Sequence, residues 1–200
     1  MSVTELGGAL VVYSVIAGLE LIDRTNFSLI ALATRNSPLA TFVGGALAFL
    51  VSTIVAVSVG AALLVALGPS RIDLLRVAGG AFLIAYAIWL VVRAAEQEIA
   101  PRVGSSALLA AFLATLLLEL GDTTMIFQIV FVTTYGWGIV LIAGAAGLIT
   151  VAAVGTTVGR HLGVRVPAAQ LRRIVVGVLL VVGALTVLYG LDPALFSWIG

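Results

Sequence analysis

Two short stretches hold the residues best suited to chemistry: Glu20-Leu21-Ile22-Asp23-Arg24-Thr25 and Glu119-Leu120-Gly121-Asp122-Thr123-Thr124. Each sets an Asp three residues after a Glu and a Thr two residues after that Asp. Carboxylates and hydroxyls are hard oxygen donors, suited to Ca²⁺, Mn²⁺ or Mg²⁺, whereas Zn²⁺ and Cu⁺ favour imidazole and thiolate. The chain has no cysteine, and its one histidine, His161, follows Arg160 at the end of an apolar segment, where it reads as a solvated interfacial side chain. Candidate secondary ligands are Thr25, Asn26, Thr124, Met125 and Gln128. Along a continuous helix Asn26 would share the Asp23 face and Gln128 would stand nearly opposite Glu119, which favours Asn26. The Met125 thioether would add preference for a softer ion such as Mn²⁺ over Ca²⁺, although a Met on an apolar helix is more often core filling.

The composition supplies the surrounding medium. Of 200 residues, 62% are hydrophobic and 10% charged, and mean hydropathy is +1.26. These values lie outside the range of soluble domains and specify a polytopic membrane protein. A net charge of +1 gives no reason to expect nucleic acid as a partner. A spanning helix needs about 20 mainly apolar residues. Punctuation in the chain delimits six such segments, at 6–34, 38–67, 72–93, 106–134, 137–159 and 172–190. The first lacks a basic leader and a cleavage-like site, so it is expected to be a retained span. Loops one, three and five carry Arg35, Arg93, Arg102, Arg160, Arg165, Arg172 and Arg173, against Arg71 and Arg76 on the other side. That bias puts the first group in the cytoplasm and both termini outside. The expectation is an integral protein of a prokaryotic plasma membrane, with the lipid bilayer as a partner and assembly into a homo-oligomer left open. Trp89, Trp137 and Trp198 fall near segment ends and read as interface anchors.

The two acidic stretches belong to an internal repeat. At an offset of 99 residues Glu20, Asp23 and Thr25 fall on Glu119, Asp122 and Thr124, and Ile30, Thr34, Gly45 and Gly60 fall on Ile129, Thr133, Gly144 and Gly159. The small-xxx-small pair Ala56/Gly60 recurs as Gly155/Gly159, a spacing that lets helix backbones approach closely. Three segments per half is an odd number, so the second half should insert upside down relative to the first. The fold class expected is therefore an all-α membrane protein of six transmembrane helices in two inverted repeats. Residues 1–94 form the first, 95–104 a cytoplasmic linker, and 105–200 the second with a short tail. Residues three apart are neighbours on one helix face, so each acidic pair is expected to share a face, and both pairs to lie near mid-span. Ionisable groups at that depth cost at least ~2.5 kcal/mol each and usually mark an ion or proton pathway. A set of carboxylates that only ties the bundle together is the plainer alternative, but it does not call for the same constellation twice. Arg24 has Thr123 as its counterpart, so the site is charge-asymmetric, and Arg24 should either pair with an intramembrane carboxylate or snorkel to water.

The stretches ELIDRT and ELGDTT resemble the paired E-x-G-D-[KR]-[TS] signatures of the GDT1/TMEM165 family (UPF0016), and the likeness covers nearly the whole chain. The resemblance implies six spans in two inverted halves and movement of Mn²⁺ and Ca²⁺ in exchange for protons. It also implies that Glu20, Asp23, Glu119 and Asp122 are the metal ligands. Ile22 replaces a Gly of the first signature, and Thr123 replaces the basic residue of the second. The expected function is a secondary transporter exporting Mn²⁺ and/or Ca²⁺ from the cytosol against protons, with no cofactor beyond the transported ion. A LysE-type exporter of a cationic amino acid and a non-transporting membrane scaffold are the alternatives. An enzyme is not expected, because no nucleophile–base arrangement or cofactor motif is visible.

Overall fold

A computed structural model describes residues 3–68, 71–92, 106–120, 122–161 and 168–192. The linker 95–104, Arg93, Arg102, Arg165, Gly121 and Trp198 lie outside the described residues, as do the side chains of Arg160, His161 and Arg172. All regular structure among the described residues is helical. The helices are α1 (Val3–Leu21), α2 (Arg24–Arg35), α3 (Pro38–Leu67), α4 (Ile72–Val92), α5 (Ala107–Glu119), α6 (Thr123–Tyr135), α7 (Trp137–His161) and α8 (Ala168–Leu191).

Three of these helices are by themselves long and apolar enough to cross a membrane: α1, α3, and α7 over residues 137–158. The pair α5–α6, bent by 64° at its break, would be a fourth span. With 30 residues, α3 is about 45 Å long, enough to cross a hydrocarbon layer at a tilt. Ser37 caps its start and Pro38 occupies its first turn, where the missing N–H costs nothing. Large apolar side chains such as Leu50, Ile54, Ile142 and Val181 face outward, which suits lipid and not water. The protein is an integral membrane protein built on an all-helical scaffold.

Segments 6–34 and 106–134 are not the continuous helices that their hydropathy predicts. Each is interrupted at its acidic stretch, because Asp23 and Asp122 act as N-caps that restart the helix. Both take extended backbone, at φ −85°, ψ 158° and φ −75°, ψ 165°. Their side chains accept the amides of Thr25 and Thr124, so local side-chain bonding competes successfully with helix continuation. Within each pair the Glu therefore ends one helix and the Asp begins the next, and the two do not share a helix face. Ile22 sits in the first break with its amide donating to the Leu19 carbonyl and its side chain against the core. No described residue other than glycine has positive φ, so this break does not require the glycine that Ile22 replaces.

Packing between the halves is exchanged. Helices α1 and α2 pack on α7, while α5 and α6 pack on α3; α2 also meets α5 as α6 meets α1. The small residues noted in the sequence serve these crossings. A Cβ on Gly60 would stand 2.9 Å from Cβ of Val132 on α6, and one on Gly155 would run into the Asn26 carbonyl oxygen on α2. Flanking this core, α4 and α8 run antiparallel, with Gly80 against Gly183 and Gly190 against the Asp73 carbonyl. Asp73 and Arg76 lie in the first turns of α4. There Arg76 pairs with Asp73 at 2.9 Å and covers the Tyr189 ring at 4.7 Å.

Candidate functional site

The exchanged packing brings both helix breaks to one place. Carboxylate oxygens of Glu20, Asp23 and Glu119 lie within 4.8 Å of one another. Glu20 and Glu119 are fully buried. The Asp122 carboxylate, 9% exposed, lies outside that trio, tied to Glu20 through the Thr124 hydroxyl, and stands 3.9 Å from an Arg24 guanidinium nitrogen. Arg24 thus reaches across from the first break to the second, with about half of its side chain exposed.

The threonines of both motifs turn inward. Thr25 donates its hydroxyl to Asp23 at 3.1 Å. Thr124 bridges the halves, donating toward Asp122 at 3.4 Å and toward Glu20 at 3.3 Å. Thr25 also neighbours Glu119, a contact that falls short of hydrogen-bond geometry. One oxygen of Glu20 and both of Glu119 are buried without a hydrogen-bond partner, so the protein leaves three acceptors unsatisfied at the centre of the cluster. Buried acceptors left unpaired are costly unless something with positive charge or an acidic hydrogen meets them, and a hard cation or protons fit that donor set.

The secondary candidates divide. Asn26, on the first turn of α2, uses its amide nitrogen to cover the Leu21 carbonyl at 3.1 Å, capping the end of α1, while its carbonyl oxygen is buried and unpaired. Its counterpart Met125 is only half-buried and cannot make that bond. Gln128 is buried with its carbonyl oxygen unpaired, beside Gly144 of α7 and near Thr53 of α3. The sequence-based preference for Asn26 over Gln128 assumed one helix running from Glu119 to Gln128; the break at Asp122 removes that basis. Hydroxyls on the long helices bond back to their own backbone, Ser52 to Phe49, Thr150 to Ala146 and Thr156 to Ala152. The Thr53 hydroxyl is buried and unpaired.

A residue with no signal in the motifs stands beside the second break. Tyr86 of α4 sets its ring edge-on against Phe127 of α6 at 5.5 Å, on the side of the second break. Only tertiary packing reveals it, since nothing near Tyr86 in the sequence resembles a polar site.

Clustered carboxylates from two helix breaks can exchange a divalent cation for protons, because both compete for the same oxygens. Breaks of this kind also turn helix C-termini, with their partial negative charge, toward a bound cation. A family model described as "Divalent cation/proton antiporter GDT1" matches the chain over residues 8–98 and 107–193. No curated protein and no solved structure matches it significantly.

Proposed function

The chain belongs to the GDT1 family of divalent cation/proton antiporters, and on that premise we propose that Glu20, Asp23, Glu119 and Asp122 form one exchange site for Mn²⁺ or Ca²⁺. The observation that carries the reading is the meeting of Glu20, Asp23 and Glu119 oxygens, supplied by separate halves of the chain, within 4.8 Å. Thr25 and Thr124 hold the aspartates.

Four ionised carboxylates beside Arg24 would give the metal-free site a charge of −3, and a bound divalent ion would reduce this to −1. A charge of −3 in a site closed to water is the costliest state, so either protons or a metal ion must be present for the site to be covered. A carrier that closes only around one or the other is an exchanger. In this reading the six sequence segments span the bilayer as two inverted halves, with the Arg-rich loops in the cytoplasm and both termini outside. The ion leaves the cytosol of a prokaryotic cell as protons enter. Alternating access would come from the two broken helices shifting against α3 and α7, the long helices each half lends to the other.

The test is a flux measurement on proteoliposomes with a lumenal pH dye. Mn²⁺ or Ca²⁺ should move against protons, and apparent affinity should fall as pH falls. With up to two protons displaced per ion the fall approaches about a hundredfold per pH unit. Asp122→Asn should stop or uncouple both movements. Metal flux without proton counter-movement, and unchanged by pH, would mean a channel or uniporter instead.

A further inference from the structure

The space over Gly144 of α7 is built differently from its counterpart in the other half. A methyl group added at Gly144 would come no closer than 3.8 Å to Gln128 of α6 and 3.9 Å to Thr53 of α3. Both of those side chains are at most 1% exposed. The Gln128 carbonyl oxygen and the Thr53 hydroxyl oxygen have no hydrogen-bond partner within the protein. At the repeat offset of 99 residues, Gln128, Gly144 and Thr53 correspond to Leu29, Gly45 and Ala152. All three counterparts are apolar, and Leu29 packs down on its glycine, 2.8 Å from where a methyl would stand. One half therefore closes this position with hydrocarbon, while the other leaves room and lines it with two unsatisfied oxygens.

We propose that Gln128, Thr53 and the bare backbone of Gly144 form a buried water site that adjoins the exchange site on one side only. Apolar gaps stay dry, whereas buried polar groups without a protein partner are met by water held between two or more of them. Thr53 is set up for this: Thr150 and Thr156 bond back to their own helices, as threonines in membrane helices commonly do, and Thr53 does not. Two neutral oxygens are too few to hold a bare divalent cation, which takes six or more oxygen ligands, so water is the occupant the chemistry selects. Gln128 follows Thr124 by one helical turn, about 6 Å along nearly the same face of α6. Thr124 donates to Glu20, so the niche borders the carboxylates toward the α6–α7 turn. A cation on that side meets water; toward the α2–α3 turn the equivalent position is the dry contact of Leu29 with Gly45.

The effect on ion binding rests on the exchange-site reading, and the experiment keeps the water and the ion apart. In full-length protein carrying Gln97→Asn and Gln170→Asn, Gln128 is the one glutamine left. Glutamine labelled with ¹⁵N then reports on it alone by solid-state NMR in lipid bilayers. Without metal, the buried Gln128 side-chain amide should receive magnetisation from water, and Thr53→Val, of the same shape without the hydroxyl, should remove most of that transfer. Calorimetry with Mn²⁺ and with Ca²⁺ follows. Gln128→Leu, which installs the residue of the other half, and Thr53→Val should each weaken binding by about two- to tenfold, the size of one lost hydrogen bond. The double variant should be no worse than either single change. Absence of water transfer to Gln128, or transfer that Thr53→Val leaves intact, would overturn the water site. Transfer as expected with unchanged affinities in both variants would overturn its link to the exchange site. Should Gln128→Leu not fold, Thr53→Val carries both readouts. If the unsubstituted protein binds neither ion, the exchange-site reading fails, and the NMR comparison alone then decides whether the niche holds water.

Discussion

At Asp23 and at Asp122 the chain does the same thing with its backbone and different things with its side chains. In both places a Glu ends a helix and the Asp amide bonds back to that Glu's carbonyl, at 3.1 Å and 3.0 Å. The Asp then caps the next helix. Around that shared frame the first break has Arg24, Asn26 and Leu29 where the second has Thr123, Met125 and Gln128. Arg24 gives its charge to the other break, and Asn26 seals the end of its own helix. The second break has neither device; the Tyr86 ring of α4 packs beside it, 5.5 Å from Phe127. Repetition fixes where the carboxylates are; the departures from it decide how each break is held and how charge is distributed between them. Two breaks with the same backbone frame and unequal charge are not electrostatically equivalent.

The most damaging test of that comparison is to neutralise the two glutamates. If the breaks build one site, Glu20→Gln and Glu119→Gln should each lower divalent-ion affinity by more than about a hundredfold, and together little further, because residues acting as a unit are non-additive. Partial, additive losses in calorimetry would mean two independent sites. Removing the charge that the breaks do not share should have a smaller effect. Arg24→Ala leaves Asp122 without its cation, so protons compete better with the metal. Half-maximal binding should move to higher pH, with little change where protons no longer compete; a metal titration across pH checks it. The smallest effect concerns packing. Ala at Gly45 would press on Leu29, 2.8 Å from the added methyl, whereas Ala at the equivalent Gly144 meets nothing closer than Gln128 at 3.8 Å. Gly45→Ala should cost about 1–2 kcal/mol unless Leu29 turns aside, and Gly144→Ala less than about 0.5 kcal/mol, read as midpoints of thermal unfolding.

The acidic motif, its repetition and the apolar setting were all legible in the sequence, because each is written in residue type and offset. The helix breaks were not, although the signal for them was present. Asp-x-Thr is a capping pattern, but hydropathy windows average across it, and the mainly apolar stretches on either side read as one span. That misreading also misplaced Gln128, whose orientation depends on where α6 begins and not on its distance from Glu119. Tyr86 was invisible for a different reason. Its place beside the second break arises from α4 packing beside α6, a contact between segments that share no pattern, and a tyrosine among Phe82 and Trp89 looks like ordinary interface filling.

The exchanged packing of the halves also sets a schedule for biosynthesis. Glu20 is completely covered in the finished protein, yet the Thr124 that bonds it is made 104 residues later, and α7, against which its helix rests, later still. At ~5–20 residues per second the wait is roughly 5–20 s. During that interval the first half has crossed or is crossing the membrane with an acid group and a broken helix that nothing yet encloses. A nascent chain in this condition is a natural client for whatever holds partly inserted helices near the translocation machinery. Slowing elongation between the halves should therefore lower the yield of folded protein more than slowing it after α7.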